Sequence, residues 1–188
     1  MATKSGYLEL IMGPMFSGKT TYLIDMYDEC QRNGDKVLAI NYAKDTRYHE
    51  TMLSTHDKRM CPCIFVETLL DAVGAITGTH DLTKSADVIL INEGQFFVDI
   101  YEVVIYMVEV LKKRVYVCGL DGDFKRQKFG GLLDLVPVCD SIIKLKSKCS
   151  CGEEALFSHR MVDNGEQVLI GSDIYVPLCR TCYCNCNA

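Results

Sequence analysis

The sequence predicts an α/β fold, a mainly parallel sheet with helices on both faces, followed by a small cysteine-rich subdomain. Three observations predict it. Short aliphatic runs alternate with segments of helical spacing, the pattern of strands covered on both sides. A glycine-rich turn ends the first apolar run and opens the first helical one. Six of the eleven cysteines crowd into the last quarter: Cys149, Cys151, Cys179, Cys182, Cys184 and Cys186.

Taken in order, Gly6 to Met12 (GYLELIM) reads as a strand, and Thr20 to Cys30 as a helix with Leu23, Ile24, Met26 and Tyr27 on its apolar face. Asn33-Gly34 stops that helix, and Lys36 to Tyr42 forms the next strand. Ala43 to Met60 is polar without a clear period, which predicts a long functional loop. Cys63 to Val66 reads as a short strand, Thr68 to Ala75 as a helix, and the stretch around Gly78 and Thr83 as a connector. Ala86 to Ile91 (ADVILI) is a buried strand that stops at Asn92-Glu93-Gly94-Gln95. Phe97 to Leu111 follows as a buried helix, with an alternating strand as the weaker alternative, then Arg114 to Cys118 as a strand, Gly119 to Gly131 as a loop, and Ser141 to Lys146 as the last core strand. Residues 1–146 form the expected core and 147–188 the subdomain, with candidate short strands at Ala155 to Met161 and Gln167 to Ile170.

Composition bounds the function. With 48% apolar residues in 188, one sizeable core is easily built. A net charge of −5 offers no general attraction for a polyanion and weighs against coating nucleic acid. No apolar run approaches the roughly 18 residues of a membrane span, and Met1 to Ser5 lacks the apolar stretch of a signal peptide. The expectation is a cytoplasmic protein without a membrane partner. In that setting clustered cysteines point to a metal site rather than to disulfides.

Gly13-Pro14-Met15-Phe16-Ser17-Gly18-Lys19-Thr20 matches G-x-x-x-x-G-K-[ST] between a strand and a helix. Such a loop turns successive N–H groups toward phosphate oxygens at a helix start. Lys19 adds mobile positive charge, and Thr20 places a hydroxyl on Mg²⁺. The expected fold is therefore P-loop NTPase-like, but the motif leaves ATPase, GTPase and kinase open. At the end of ADVILI, Glu93 is the candidate base for an attacking hydroxyl, because Asn92 carries no charge. Asp121 and Asp123 follow another strand and read as water-orienting or arginine-holding acids, with a solvated turn as the plain alternative for either, Asp123 above all. Phe96, Phe97, Phe124 and Phe129 offer flat apolar surface for a nucleobase. Phe96 and Phe97, as neighbours, are expected to face different ways.

The combined motifs resemble the type II thymidine kinase family over roughly Gly6 to Tyr183. They are GPMFSGKT, KDTRY at Lys44 to Tyr48, STHD at Ser54 to Asp57, EGQFF at Glu93 to Phe97, LDGDFKRQKFG at Leu120 to Gly130 and YVPLCRTCY at Tyr175 to Tyr183. The resemblance implies transfer of the ATP γ-phosphoryl to the 5′-hydroxyl of thymidine, with deoxyuridine as a second acceptor. It implies Glu93 as general base, with Lys19 and Arg47 as its catalytic partners. Gly13 to Thr20, Asp45 and Asn92 are then the nucleotide and metal side. Met15, Phe96, Leu120, Phe124 and Phe129 surround the nucleoside, beneath a lasso at about Ser158 to Tyr175 that includes Arg160, Ile170, Gly171 and Tyr175. A structural Zn²⁺ on Cys149, Cys151, Cys179 and Cys182, a homotetramer, and feedback inhibition by thymidine triphosphate also follow from the resemblance.

Two departures stand out. The family's usual Asp-Glu is Asn92-Glu93 here, and the first cysteine pair is Cys149-Ser150-Cys151, with one intervening residue instead of two. Cys184 and Cys186 are substitute ligands if Cys149 does not reach. Competing readings are a kinase of other pyrimidine preference, a regulatory ATPase and a zinc-stapled interaction module.

Overall fold

The computed structural model describes residues 5–45, 52–55, 57–74, 82–162, 167–169, 171 and 173–186. The first half contains β1 (Tyr7–Met12), α1 (Lys19–Arg32), β2 (Val37–Tyr42), β3 (Met52–Ser54), β4 (Met60–Pro62), β5 (Ile64–Val66), α2 (Leu69–Val73), α3 (Leu82–Ser85) and β6 (Val88–Ile91). The second half contains α4 (Ile100–Ile105), β7 (Arg114–Gly119), β8 (Ser141–Lys144), β9 (Ser147–Lys148), β10 (Glu154–Ala155), β11 (Phe157–Arg160), β12 (Tyr175–Leu178) and α5 (Arg180–Cys186).

Six strands form one sheet in the order β5-β2-β6-β7-β1-β8, and every pairing in it is parallel. Alternate residues of each strand feed different layers. Leu8, Leu10, Ile89, Ile91, Val115 and Val117 pack toward α2 and α4 in one apolar cluster. Ile11, Val88, Leu90, Tyr116 and Cys118 pack with Leu23, Ile24 and Cys30 of α1 in the other. Both faces are buried, which is why these strands read as unbroken apolar runs. One acid interrupts β1: Glu9 is buried, and its carboxylate accepts from the hydroxyls of Tyr7 (2.7 Å) and Tyr22 (3.0 Å). Satisfying a buried charge in this way is what makes it tolerable.

The α/β class, the parallel sheet and the cysteine-cluster subdomain agree with expectation. Four local readings change. The stretch from 43 to 60 is not all loop, because β3 and β4 pair antiparallel as a ribbon. Its Arg59 reaches Asp25 (2.7 Å) and Asp28 (2.9 Å) on α1, while residues 46–51 and 56 lie outside the description. Of the connector around Gly78 and Thr83, Thr83 sits in α3, whereas Gly78 is outside the described residues. The helix expected from Phe97 begins at Ile100 and widens into a π-turn over Tyr106–Val110. Gln167 to Leu169 do not form a strand. Instead β11 pairs antiparallel with β12, and Pro177 leaves that pairing intact from an edge position.

Candidate active site

The phosphate loop, Lys44-Asp45, EGQFF and LDGDFKRQKFG follow the carboxyl ends of β1, β2, β6 and β7, the edge where open α/β sheets bind ligands. The phosphate loop leaves β1. At Gly13 a Cβ would stand 2.5 Å from the Leu145 carbonyl oxygen, so only glycine fits. Gly18, at φ 85°, turns the chain into α1 through a left-handed conformation that glycine adopts freely. The Lys19 ammonium donates to the Pro14 carbonyl (2.7 Å), folding back over the loop. The Met15 N–H donates to Ser158 Oγ (2.9 Å), and Ser147 Oγ donates to the Phe16 carbonyl (3.0 Å). Those two bonds tie the loop to the C-terminal segment.

An open cleft of about 350 Å³ lies over this loop. Met15, Phe16, Ser17, Gly18, Lys19 and Thr20 line its floor, and Ser54, Thr55 and Asp57 of the ribbon line its far wall. Glu93 and Leu120 close its end.

Glu93 follows β6 in the left-handed region, at φ 55° and ψ 41°. A non-glycine residue there costs about 1–3 kcal/mol, and such strain collects at working sites. Its Oε2 accepts a short bond (2.6 Å) from Gln95 Nε2. Asn92 turns the other way: it is buried, and its amide donates to Asn41 Oδ1 (2.9 Å). Asn92 therefore belongs to a neutral amide pair bridging β2 and β6 rather than to the cleft wall.

A second cavity adjoins the cleft and shares Met15, Glu93 and Leu120 with it. Phe96, Phe124 and Phe129 supply aromatic walls, and Gly171 and Tyr175 supply the lid side. Phe96 stacks on Tyr42 (5.1 Å) and meets Phe129 edge to face (5.5 Å), a geometry that holds each ring in place. Phe97 points into the core instead, at 1% exposure, so the two neighbours do differ in role. Asp45 lines this second cavity rather than the phosphate cleft. Asp121 is held by Lys144 (2.6 Å).

Asp123 is not a solvated turn acid. It is buried, accepts from the N–H groups of Lys125 and Gln127, and accepts from Gln167 Nε2 (2.8 Å) on the lid side. The Tyr175 hydroxyl donates to the Leu169 carbonyl (3.0 Å), bracing the lid internally. Arg160 lies face-on to Phe124 (3.6 Å), and Arg126 lies over Tyr183 (4.4 Å). The Tyr183 hydroxyl donates to the Phe124 carbonyl (2.6 Å). Both arginines therefore brace the aromatic wall through cation–π contact.

Cys149, Cys151, Cys179 and Cys182 bring their sulfurs within 4.8 Å of one another. The 3.7 Å between Cys151 Sγ and Cys179 Sγ matches the edge of a tetrahedron with Zn–S bonds of about 2.3 Å. The turn closed by the Gly152 N–H on the Cys149 carbonyl (2.9 Å) lets Cys149 reach despite the shortened spacing. Backbone N–H groups of Cys151 and Cys179 pull the Cys149 thiol down to about 6, while its neighbours' sulfurs push Cys182 up to about 12. Four crowded sulfurs ionise together only around a cation, and the set fits Zn²⁺.

A protein-family model described as "TK: Thymidine kinase" matches residues 6–183. The chain belongs to the thymidine kinase family. The thymidine kinase of Yaba monkey tumor virus (strain VR587) is 40% identical over 189 residues, covering 100% of this chain and 99% of its own. "Thymidine kinase, cytosolic" of Bos taurus is 41% identical over 180 residues, covering 95% and 72%. "Thymidine kinase a" of Arabidopsis thaliana is 39% identical over 181 residues, covering 95% and 75%. Among solved structures, AMPPCP-bound DnaA from Aquifex aeolicus overlaps 77% of this chain and 42% of its own at TM-score 0.49 and 14% identity, too loosely to bear on function. Family membership supports kinase activity in general terms, and the four-cysteine cluster is consistent with the zinc subdomain of type II thymidine kinases.

Among the residues singled out from sequence, Met15, Phe96, Leu120, Phe124, Phe129, Gly171 and Tyr175 all line the second cavity, and the four cysteines converge. Arg47 and Ile170 lie outside the described residues. Sequence reasoning missed Tyr42, Gln95 and the bond from Ser158 to the phosphate loop. The one available signal for Gln95 was its place as the only amide between Glu93 and the paired phenylalanines.

Proposed function

We propose that this thymidine kinase family member transfers the γ-phosphoryl of ATP to the 5′-hydroxyl of thymidine, with Glu93 as general base. The observation that carries the proposal is the position of Glu93 on the wall common to the phosphate cleft and the aromatic cavity. A nucleoside against Phe96, Phe124 and Phe129 would then present its alcohol beside that carboxylate, facing the cleft above Lys19.

In this mechanism Glu93 accepts the hydroxyl proton as the oxygen attacks phosphorus. The loop N–H groups and Lys19 stabilise the charge on the transferred group. Mg²⁺, when bound, would supply positive charge that offsets the negative charge of the phosphates. In the cleft Thr20 and Asp57 would hold the ion, few protein ligands being what Mg²⁺ commonly takes, and Glu93 is left free to act as base. The lid over the aromatic cavity excludes water, which would otherwise compete for the phosphoryl.

Residues 1–146 as nucleotide-binding core and 147–188 as zinc subdomain, Arg47 acting with Lys19, a homotetramer and inhibition by thymidine triphosphate all belong to this reading. So does a cytosolic location, as in the name of the Bos taurus relative.

The test is label transfer from γ-labelled ATP in the presence of Mg²⁺ to thymidine, deoxyuridine and other nucleosides. The native protein labels thymidine, and Glu93→Gln lowers turnover about 100-fold or more while ATP still binds. Near-native turnover in that variant sinks the base assignment, and a native protein that labels no pyrimidine nucleoside sinks the function.

A further inference from the structure

We propose that Gln95 is a positioning residue for the reaction, a brace that holds the Glu93 carboxylate ionised and fixed against the loop after β7. The proposal rests on Glu93 being the general base.

Gln95 is 3% exposed and borders neither cavity, so it acts through another group rather than on a substrate. Its Oε1 accepts from the Leu120 N–H (2.9 Å), and its Nε2 donates to Glu93 Oε2 (2.6 Å). The amide cannot be reversed, because a backbone N–H requires an acceptor at Oε1 and therefore leaves the donor facing the carboxylate.

Two glycines make room for this brace. A Cβ on Gly119 would stand 2.6 Å from Gln95 Oε1, and one on Gly130 would stand 1.9 Å from the Gln95 carbonyl oxygen. The loop from Leu120 to Phe129 that bears the aromatic walls thus begins and ends against the residue that holds the base.

A donor facing a carboxylate favours its charged form, and a second carboxylate in that place would disfavour it. Gln95→Glu keeps the acceptor for the Leu120 N–H but sets two carboxyl groups face to face. Gln95→Met removes both bonds at similar volume. If Gln95 served packing alone, Gln95→Glu would be the milder change, because it keeps the backbone bond. Positioning predicts the reverse order.

The experiment compares native protein, Gln95→Met and Gln95→Glu by three readouts, with Glu93→Gln as control. In kinetics, kcat falls about 10- to 100-fold with little change in either KM. The acid limb of the kcat profile moves to higher pH by about one unit in Gln95→Met and further in Gln95→Glu. In the Glu93→Gln background, Gln95→Met costs no additional kcat. In ¹³C-carboxyl NMR, the Glu93 resonance, assigned by its loss in Glu93→Gln, titrates at higher pH in both variants.

An unmoved resonance in both variants overturns the proposal, as does a fall in activity carried by KM alone. The resonance is read without substrate. A native protein inert toward thymidine would therefore defeat the function while the brace is still decided. If Gln95→Met fails to fold, Gln95→Ala, which also removes the donor and adds no charge, takes its place in the same titration.

Discussion

Three side chains near β1 and β6 show how single residues divide the work. Glu93 accepts strain and a short amide bond at the head of the cleft, whereas Glu9 is buried within β1 between two tyrosines. The Glu9 carboxylate, through its hydrogen bond, and burial raise the phenol of Tyr7 to about 12; burial and then Glu9 do the same for Tyr22. The folded values exceed the ordinary phenol value near 10, so the unfolded chain releases these protons first. Their contribution to stability is whole below about pH 10 and is lost as the pH climbs through about 12. Urea melts across that range should show a falling midpoint, and Glu9→Gln should flatten the fall. A fall of unchanged steepness in Glu9→Gln would show that the carboxylate is not the cause. The third side chain, Asn92, hides its amide against Asn41, a partner 51 residues away that sequence reading had no means to supply.

At the scale of elements, legibility followed periodicity. β1, α1, β2, β6 and β7 were readable because a buried parallel strand is a run of aliphatic residues and a buried helix repeats every three or four. The ribbon of β3 and β4 was not, because each strand has three residues and its pairing is held by contacts with α1. The aromatic wall and the cysteine set were readable from residue type and order. Gln95, Tyr42 and the link from Ser158 to the phosphate loop were hidden, since all three depend on which strand ends become neighbours. The ribbon also yields a prediction. Arg59→Ala removes both ion pairs to α1; exposed pairs contribute little, so melting should shift by no more than about two degrees. Thr55 and Asp57 lose their anchor over the cleft, and the KM for ATP should rise several-fold while that for thymidine holds. Equal rises in both constants would show that the ribbon does not serve the nucleotide alone.

Across the whole molecule, the cysteine cluster is coupled to the aromatic cavity by a short route. Tyr183 follows Cys182 directly in α5, donates to the Phe124 carbonyl and carries Arg126 on its ring. Removing zinc should therefore be felt at the nucleoside wall as well as in folding. Cys149→Ser and Cys151→Ser should each lose stoichiometric zinc by elemental analysis, melt earlier and raise the KM for thymidine more than that for ATP. Zinc retained in full by both variants would assign the metal to other ligands. Among the described residues no helix is long and apolar enough to cross a membrane.

The sheet's two rims carry different burdens. At the amino-end rim, the Lys36 backbone N–H donates to the Asp87 carboxylate, Arg114 pairs with Asp35, and Lys113 reaches the carbonyls of Lys84 and Ala86. No residue of either cavity lies among them. Durability and reactivity are thereby entrusted to opposite borders of one layer, and a lineage can harden the first against heat while the second is left to change its choice of guest.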